Sequence, residues 1–272
     1  YMKFVTVIVG ACLLVSIVLY GAGVIRENRN YEPTVPVLTS TVDVLEITTD
    51  YTQEDLLSGL SAWDDGDGDL TGEILVGDFS QFIEPGLSNL TYVVFDSNNQ
   101  AGTLTRQVRF TDYESPKLTL SQPLVFTVGS SVSVSGIVGA EDMLDGDLSA
   151  LVLETGSDVN SETQGTYTVD VEVTNSFGDV EEASLPVHVI RSRELEITLT
   201  ENLVYLHTGD SFSPENYVQD ITDYYGNTMD LADLQITSQV DTQTPGCYEV
   251  HYYGENDAGQ TGETWLTVIV RD

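Results

Sequence analysis

Thr166-Tyr167-Thr168-Val169-Asp170-Val171-Glu172-Val173 is the stretch that decides the fold. Its apolar residues fall on every second position from Tyr167, so an extended chain buries one face while Thr168, Asp170 and Glu172 meet water. Tyr248, Val250 and Tyr252 repeat the alternation further along. Short runs of this kind, bounded by Gly, Asp, Asn and Ser, recur down the chain, and no stretch after Arg29 keeps a helical period. Everything beyond Arg29 is therefore expected to be all-β.

Charge narrows the function. The chain carries 44 acidic against 9 basic residues, a formal net charge of −35. Only Glu27 among the acids, and only Lys3, Arg26 and Arg29 among the bases, precede Tyr31. Such a field repels nucleic acid and anionic headgroups alike, which excludes a nucleic-acid binder and a protein lying flat on a membrane. High net charge can also mark disorder, but 41% of the residues are hydrophobic and they sit in strand-like runs, enough for a packed core.

Internal repetition sets the domain count. Asp67-Gly68-Asp69-Leu70-Thr71 aligns with Asp145-Gly146-Asp147-Leu148-Ser149, and Gly102, Gly178 and Gly259 follow matching strands, giving three units of roughly 80 residues. The expected division is a membrane helix and its flanks over 1–30, then sandwich domains over 31–111, 112–190 and 191–272. Almost no linker separates the units, so a stiff, end-to-end join is expected, with residues 31–35 as a stalk. Some seven short strands per unit suit a two-sheet sandwich of immunoglobulin type. Gly165-Thr166-Tyr167 and Gly246-Cys247-Tyr248 place a tyrosine just inside a strand after a glycine turn, the position of a tyrosine corner, and Tyr92 after Pro85-Gly86 is read as the third.

These motifs together resemble the bacterial immunoglobulin-like surface repeats, related to hyalin-repeat domains. The carriers are the Asp145–Ser149 turn, Gly165–Tyr167 with Asn175–Gly178, and Gly246–Tyr248 with Asn256–Gly259. Unit one has the acidic turn and Asn98–Gly102 but an altered turn from Pro85 to Tyr92, and unit three has Tyr225-Gly226-Asn227-Thr228 in place of the acidic turn. The resemblance implies adhesion, spacing or scaffolding without catalysis.

At the front, Phe4 to Ile25 is an apolar run of 22 residues with no Asp, Glu, Lys, Arg or His. At about 1.5 Å per residue it matches the roughly 30 Å hydrocarbon core of a bilayer, and it exceeds the usual signal-peptide core. A transmembrane helix over residues 4–25 is expected, with the strand-rich part outside the cell. Only Arg271 and Asp272 follow the last strand, so anchoring is expected from the front.

Of the candidate sites, the acidic turns come first. Asp65, Asp67 and Asp69, with Asp64 beside them, alternate like the first ligands of a calcium loop, and Asp142, Asp145 and Asp147 form a second group. An EF-hand fails, because Leu70 stands where Gly is needed and Val76 where a bidentate Glu is needed. A looser calcium site and a solvated Asp-Gly turn both remain open. Tyr217, Tyr224, Tyr225, Tyr252 and Tyr253 are the candidate contact surface for a protein or surface polymer, since tyrosine suits recognition. His188, His207 and His251 lack metal-ligand spacing, Cys247 has its only companion in the apolar run, and no catalytic constellation appears, so no enzyme is expected. The expected protein is a single-pass surface protein whose sandwiches hold a binding face about 100 Å from the membrane by strand geometry. The alternative is a subunit of a filament or membrane complex, assembled through the apolar helix.

Overall fold

The computed structural model describes residues 13–23, 34–191 and 193–272. The chain divides into two compact units, Tyr1–Thr111 and Asp112–Asp272. The first holds one sandwich core and the second holds two.

In the first unit, β1 (Val37–Ser40), β3 (Leu60–Asp64) and β4 (Gly68–Asp69) make one antiparallel sheet. The other sheet runs β2 (Val44–Ile47), β7 (Ala101–Phe110), β6 (Leu87–Phe95), β5 (Leu75–Phe79). The chain enters through β1, then crosses to the second sheet, where β2 lies parallel to the last strand, Val44 opposite Gln107. Alternation fills the space between: Leu90, Tyr92 and Val94 on β6 are fully buried and meet Val108, Leu38 and Ala62. A short helix, Gln53–Leu57, crosses the edge, started by a capping box in which Thr52 and Asp55 bond each other's backbone N–H. Its Leu56 carbonyl accepts from the Tyr92 hydroxyl at 2.8 Å and from the buried Arg106 guanidinium at 2.7 Å.

The second unit repeats this plan twice. One sandwich packs the sheet of β8 (Lys117–Leu120), β10 (Val138–Asp142) and β11 (Gly146–Asp147) on that of β9 (Val125–Thr127), β12 (Leu153–Ser157), β13 (Gly165–Thr174) and β14 (Val180–Ile190). The other packs β15 (Leu195–Leu199) and β17 (Val218–Asp223) on β16 (Leu203–His207), β18 (Gln235–Ser238), β19 (Gly246–Glu255) and β20 (Thr261–Arg271). The crossing strand is again parallel to the last one in both, β9 with β14 and β16 with β20. On β13, Val169, Val171 and Val173 are buried while Thr168 and Asp170 are exposed, the alternation its sequence announces.

Several expectations need revision. The two sandwiches of the second unit meet flank to flank rather than only at their ends. Glu181 near the start of β14 binds Arg271 at 2.5 Å, and His188 near its end stacks on Trp265 at 3.8 Å. At roughly 3.3 Å per strand residue these contacts span more than 20 Å along the strands. Tyr205 sits under Arg271, 4.2 Å from its centroid, and accepts the Leu118 N–H at 2.8 Å. A simple stack of three sandwich lengths is therefore corrected within this unit.

The tyrosine corners form at Tyr167 and Tyr248, whose hydroxyls donate to the carbonyls four residues upstream, Thr163 and Thr244, both at 2.9 Å. Tyr92 is not a corner of that kind: like Tyr252, which bonds Pro214 O at 2.8 Å, it reaches a distant carbonyl from mid-strand. Gly102 is likewise not the counterpart of Gly178. That left-handed turn position is Asn99 (φ 62°), against Gly178 (φ 80°) and Gly259 (φ 75°). The apolar run lies mostly outside the described residues. Its residues 13–23 are helical with exposed apolar side chains, and no described helix is long and apolar enough to cross a membrane.

Candidate functional site

The turn between β3 and β4 and the hairpin between β6 and β7 bring three carboxylates together in the first unit. Oxygens of Asp64, Asp67 and Asp96 lie within 4.8 Å of one another. Asp64 ends β3, where its Oδ1 accepts the N–H groups of Gly66 at 2.9 Å and Asp67 at 3.1 Å, so the carboxylate builds its own turn. Asp96 does the same in the hairpin, its Oδ1 accepting from Asn98 at 2.9 Å and Gln100 at 2.6 Å. Asp67 Oδ2 ties the two loops together by accepting the Ser97 N–H at 2.6 Å.

The second oxygens of the two buried residues are left over. Asp64 is 3% exposed and Asp96 6%, and Oδ2 of each is buried without a hydrogen-bond partner among the described residues. No described ion pair reaches any of the three carboxylates. Two like charges 4–5 Å apart repel by roughly 3–4 kcal/mol at an effective dielectric of about 20.

The second unit builds the same corner differently. Asp142 Oδ1 accepts from Leu144 and Asp145, both at 2.9 Å, and Asp145 Oδ2 accepts the Ser176 N–H at 2.6 Å. The hairpin residue, however, is Asn175. Its Oδ1 holds the turn through Phe177 and Asp179, while its Nδ2 donates to Asp142 Oδ2 at 3.1 Å and to the Tyr113 hydroxyl at 2.8 Å. In the third sandwich Asn256 takes this place, and Asp223 Oδ2 accepts from Asn227 Nδ2 at 2.8 Å.

Of the residues named from the sequence, Asp67 and its neighbour Asp64 belong to the three-carboxylate group. Asp65 is exposed outside it. Asp69 accepts the Thr71 N–H at 3.0 Å, and hydrogen bonds from the Thr71 side chain and then its backbone hold the Asp69 carboxyl below the usual range. Asp147 is held down in the same way by Ser149. Asp142 and Asp145 have the bonds just described. Asp96 was missed, as was the weight carried by Asp64. The signal available was the alignment of Asp96-Ser97-Asn98-Asn99-Gln100 with Asn175-Ser176-Phe177-Gly178-Asp179.

Among the tyrosines, Tyr252 leaves the candidate contact surface, because it is fully buried in the third core. Tyr217 is half-buried against the same core, stacked on Phe212 at 5.5 Å, and Tyr253 is half-buried beside Glu255. Tyr224 and Tyr225 stand free, 88% and 80% exposed with rings edge to face at 5.6 Å, beside a groove of about 400 Å³ that Arg193, Glu194 and Gln260 help to line. His188 and His251 flank Trp265 on both faces and bond Glu249 and Glu263, whereas His207 is exposed near Asp210. Cys247 sits at the start of β19 with part of its surface exposed. Burial, with the Glu249 charge adding, pushes its thiol up to about 11, away from nucleophile chemistry at neutral pH.

Comparison with known proteins places part of this architecture. Residues 197–270 match the family described as bacterial surface protein, Ig-like domain. Two curated proteins are also similar. The pesticidal crystal protein Cry22Aa of Bacillus thuringiensis is 29% identical over 220 residues, 78% of this chain and 29% of that protein. An uncharacterized 81.3 kDa protein of Acholeplasma phage L2 is 29% identical over 136 residues, 49% of this chain and 18% of that protein. The matched segments thus cover less than a third of either relative. Among solved structures, the M60 catalytic domain with CBM51 domains from Clostridium perfringens ZmpB shares 15% identity, with 89% of this chain and 31% of that chain covered and a TM-score of 0.26.

Proposed function

We propose that the chain is a non-catalytic, extracellular surface protein whose three immunoglobulin-like modules, divided near residues 111 and 191, serve adhesion, binding or spacing. The observation that carries this is the family match over residues 197–270, in a module whose strand plan recurs twice upstream. The acidic surface, which repels nucleic acid and anionic lipid, supports it.

The apolar helix of residues 13–23 exposes Leu14, Leu19 and Tyr20 at 66%, 67% and 77%, and an exposed apolar patch of this kind requires a cover. A bilayer is the cover proposed, over residues 4–25, with the modules on the outer side. The contact surface proposed is Tyr224 and Tyr225, for a protein or a surface polymer.

Protease treatment of intact cells tests the location: cleavage of the modules is expected, and full protection overturns the surface assignment. Extraction tests the anchor, since a chain released by salt or carbonate is not membrane-spanning. A detergent-soluble assembly of fixed size that requires residues 1–30 favours the filament or complex instead. For the contact surface, Tyr224→Ala with Tyr225→Ala is expected to reduce binding to the host cell surface or matrix by tenfold or more, on the order of a 1.4 kcal/mol loss.

A further inference from the structure

We propose that Asp64, Asp67 and Asp96 bind one divalent cation, calcium in preference to magnesium, which joins the β3–β4 turn to the β6–β7 hairpin. Proximity of acids is not the ground for this. Asp64 and Asp96 are each more than nine-tenths buried, and each keeps an Oδ2 without a partner. In the second unit the matching Oδ2, that of Asp142, faces the hairpin side chain and receives its amide N–H. The same placement directs Asp64 Oδ2 toward Asp96.

Position 96 is where the three corners part. Asn175 and Asn256 supply an amide nitrogen, and Asn175 gives its N–H to the turn aspartate. Asp96 offers only acceptors. The turn-forming bonds of its Oδ1 match those of Asn175, so the hairpin itself does not need the carboxylate. A bound cation takes over the work of the missing N–H and offsets the repulsion between the carboxylates.

The chemistry of the donors selects the ion. All three ligands are hard oxygens, which suit calcium or magnesium rather than zinc or copper. Three oxygens within 4.8 Å of one another are close enough to share one ion of either kind, so the preference for calcium rests on its tolerance of irregular oxygen geometry and on the reluctance of magnesium to give up its waters. Three protein carboxylates leave the remaining positions to water, so the affinity expected is that of extracellular modules, with Kd on the order of 0.1–1 mM. The surface assignment bears only on where such calcium would be met, and binding in vitro is independent of it.

The test is calorimetric titration and thermal unfolding of the full chain, first stripped with chelator, using calcium chloride and magnesium chloride as probes. Saturable calcium binding with a rise in Tm is expected, with magnesium at least about tenfold weaker. Asp96→Asn recreates the amide of the second unit. It is expected to fold in chelator at least as stably as the unaltered chain and to lose calcium affinity by tenfold or more. Asp64→Asn is expected to lose the same affinity, and Asp69→Asn, outside the group, to keep it. No response up to about 10 mM calcium overturns the proposal. So does affinity that survives both Asp64→Asn and Asp96→Asn, since that is diffuse counter-ion binding to an acidic surface.

Discussion

The corner formed by Asp64 and Asp96 and the one formed by Asp142 and Asn175 share a set of backbone bonds and differ at one side-chain atom. Where the second has the Nδ2 of Asn175, giving protons to Asp142 and Tyr113, the first has a carboxylate oxygen that gives nothing. One corner is closed by its own chain, and the other keeps buried acceptors that no described residue fills. Neutral satisfaction and cation capture are thus alternative solutions to one problem, a buried aspartate left over from a turn.

The first sandwich differs from the other two again in mid-sheet. Arg106 stands opposite Leu90, where the others set Leu185 opposite Val169 and Leu266 opposite Val250. Its guanidinium, 4% exposed, finds the Leu56 and Ser58 carbonyls and the Ser40 and Tyr92 hydroxyls in place of a carboxylate. Arg106→Leu would make the first sandwich like the others while orphaning several buried acceptors. A loss of about 3–4 kcal/mol is expected in denaturant unfolding. A neutral result would mean the helix Gln53–Leu57 can turn those carbonyls to water.

Asn175→Asp asks the reverse question of the second corner. It removes two donated bonds and sets a second buried carboxylate beside Asp142. A loss of about 2–3 kcal/mol in chelator is expected, partly restored by millimolar calcium. Loss without recovery would show that Tyr113 and the amide tune that corner against an ion.

Smaller effects sharpen the comparison further. Asn99→Gly gives the first hairpin the left-handed residue its counterparts have, and a gain of about 0.5 kcal/mol is expected from relief at φ 62°. Least of all, Asp69 and Asp147 should behave alike toward acid. Hydrogen bonds from Thr71 and Ser149 lower both carboxyls below their ordinary 3.8. Each therefore stabilises its unit above about that pH, and the contribution fades as pH falls through the lowered native value. Asp69→Asn and Asp147→Asn are expected to flatten the acid side of the stability profile to the same slight degree, and unequal slopes would separate the two turns.

Strand identity was legible because a pleat writes a period of two into residues such as Val169, Val171 and Val173, and burial enforces it. The corners at Tyr167 and Tyr248 were legible because a glycine turn and an aromatic stand side by side in the chain. The carboxylate group was half legible. Its turn is local, but Asp96 lies in a distant hairpin, and pairing Gly102 with Gly178 set the hairpins out of step. Asn99 adopts the left-handed conformation that glycine takes elsewhere, so the usual marker of that position was missing. The flank contact of Glu181, Tyr205 and Arg271 left no trace at all, since charged and amphipathic residues on a strand look the same whether water or another sandwich faces them.

The parallel pairing of the crossing strand with the last strand has a mechanical consequence. A pull on the two ends of the first sandwich draws β2 and β7 along their own axes in opposite directions, so the bonds between Val44–Ile47 and Gln107–Phe110 are sheared together rather than unzipped in turn. Because β9 with β14 and β16 with β20 repeat that arrangement, each of the three described cores is latched by strands that share a tensile load.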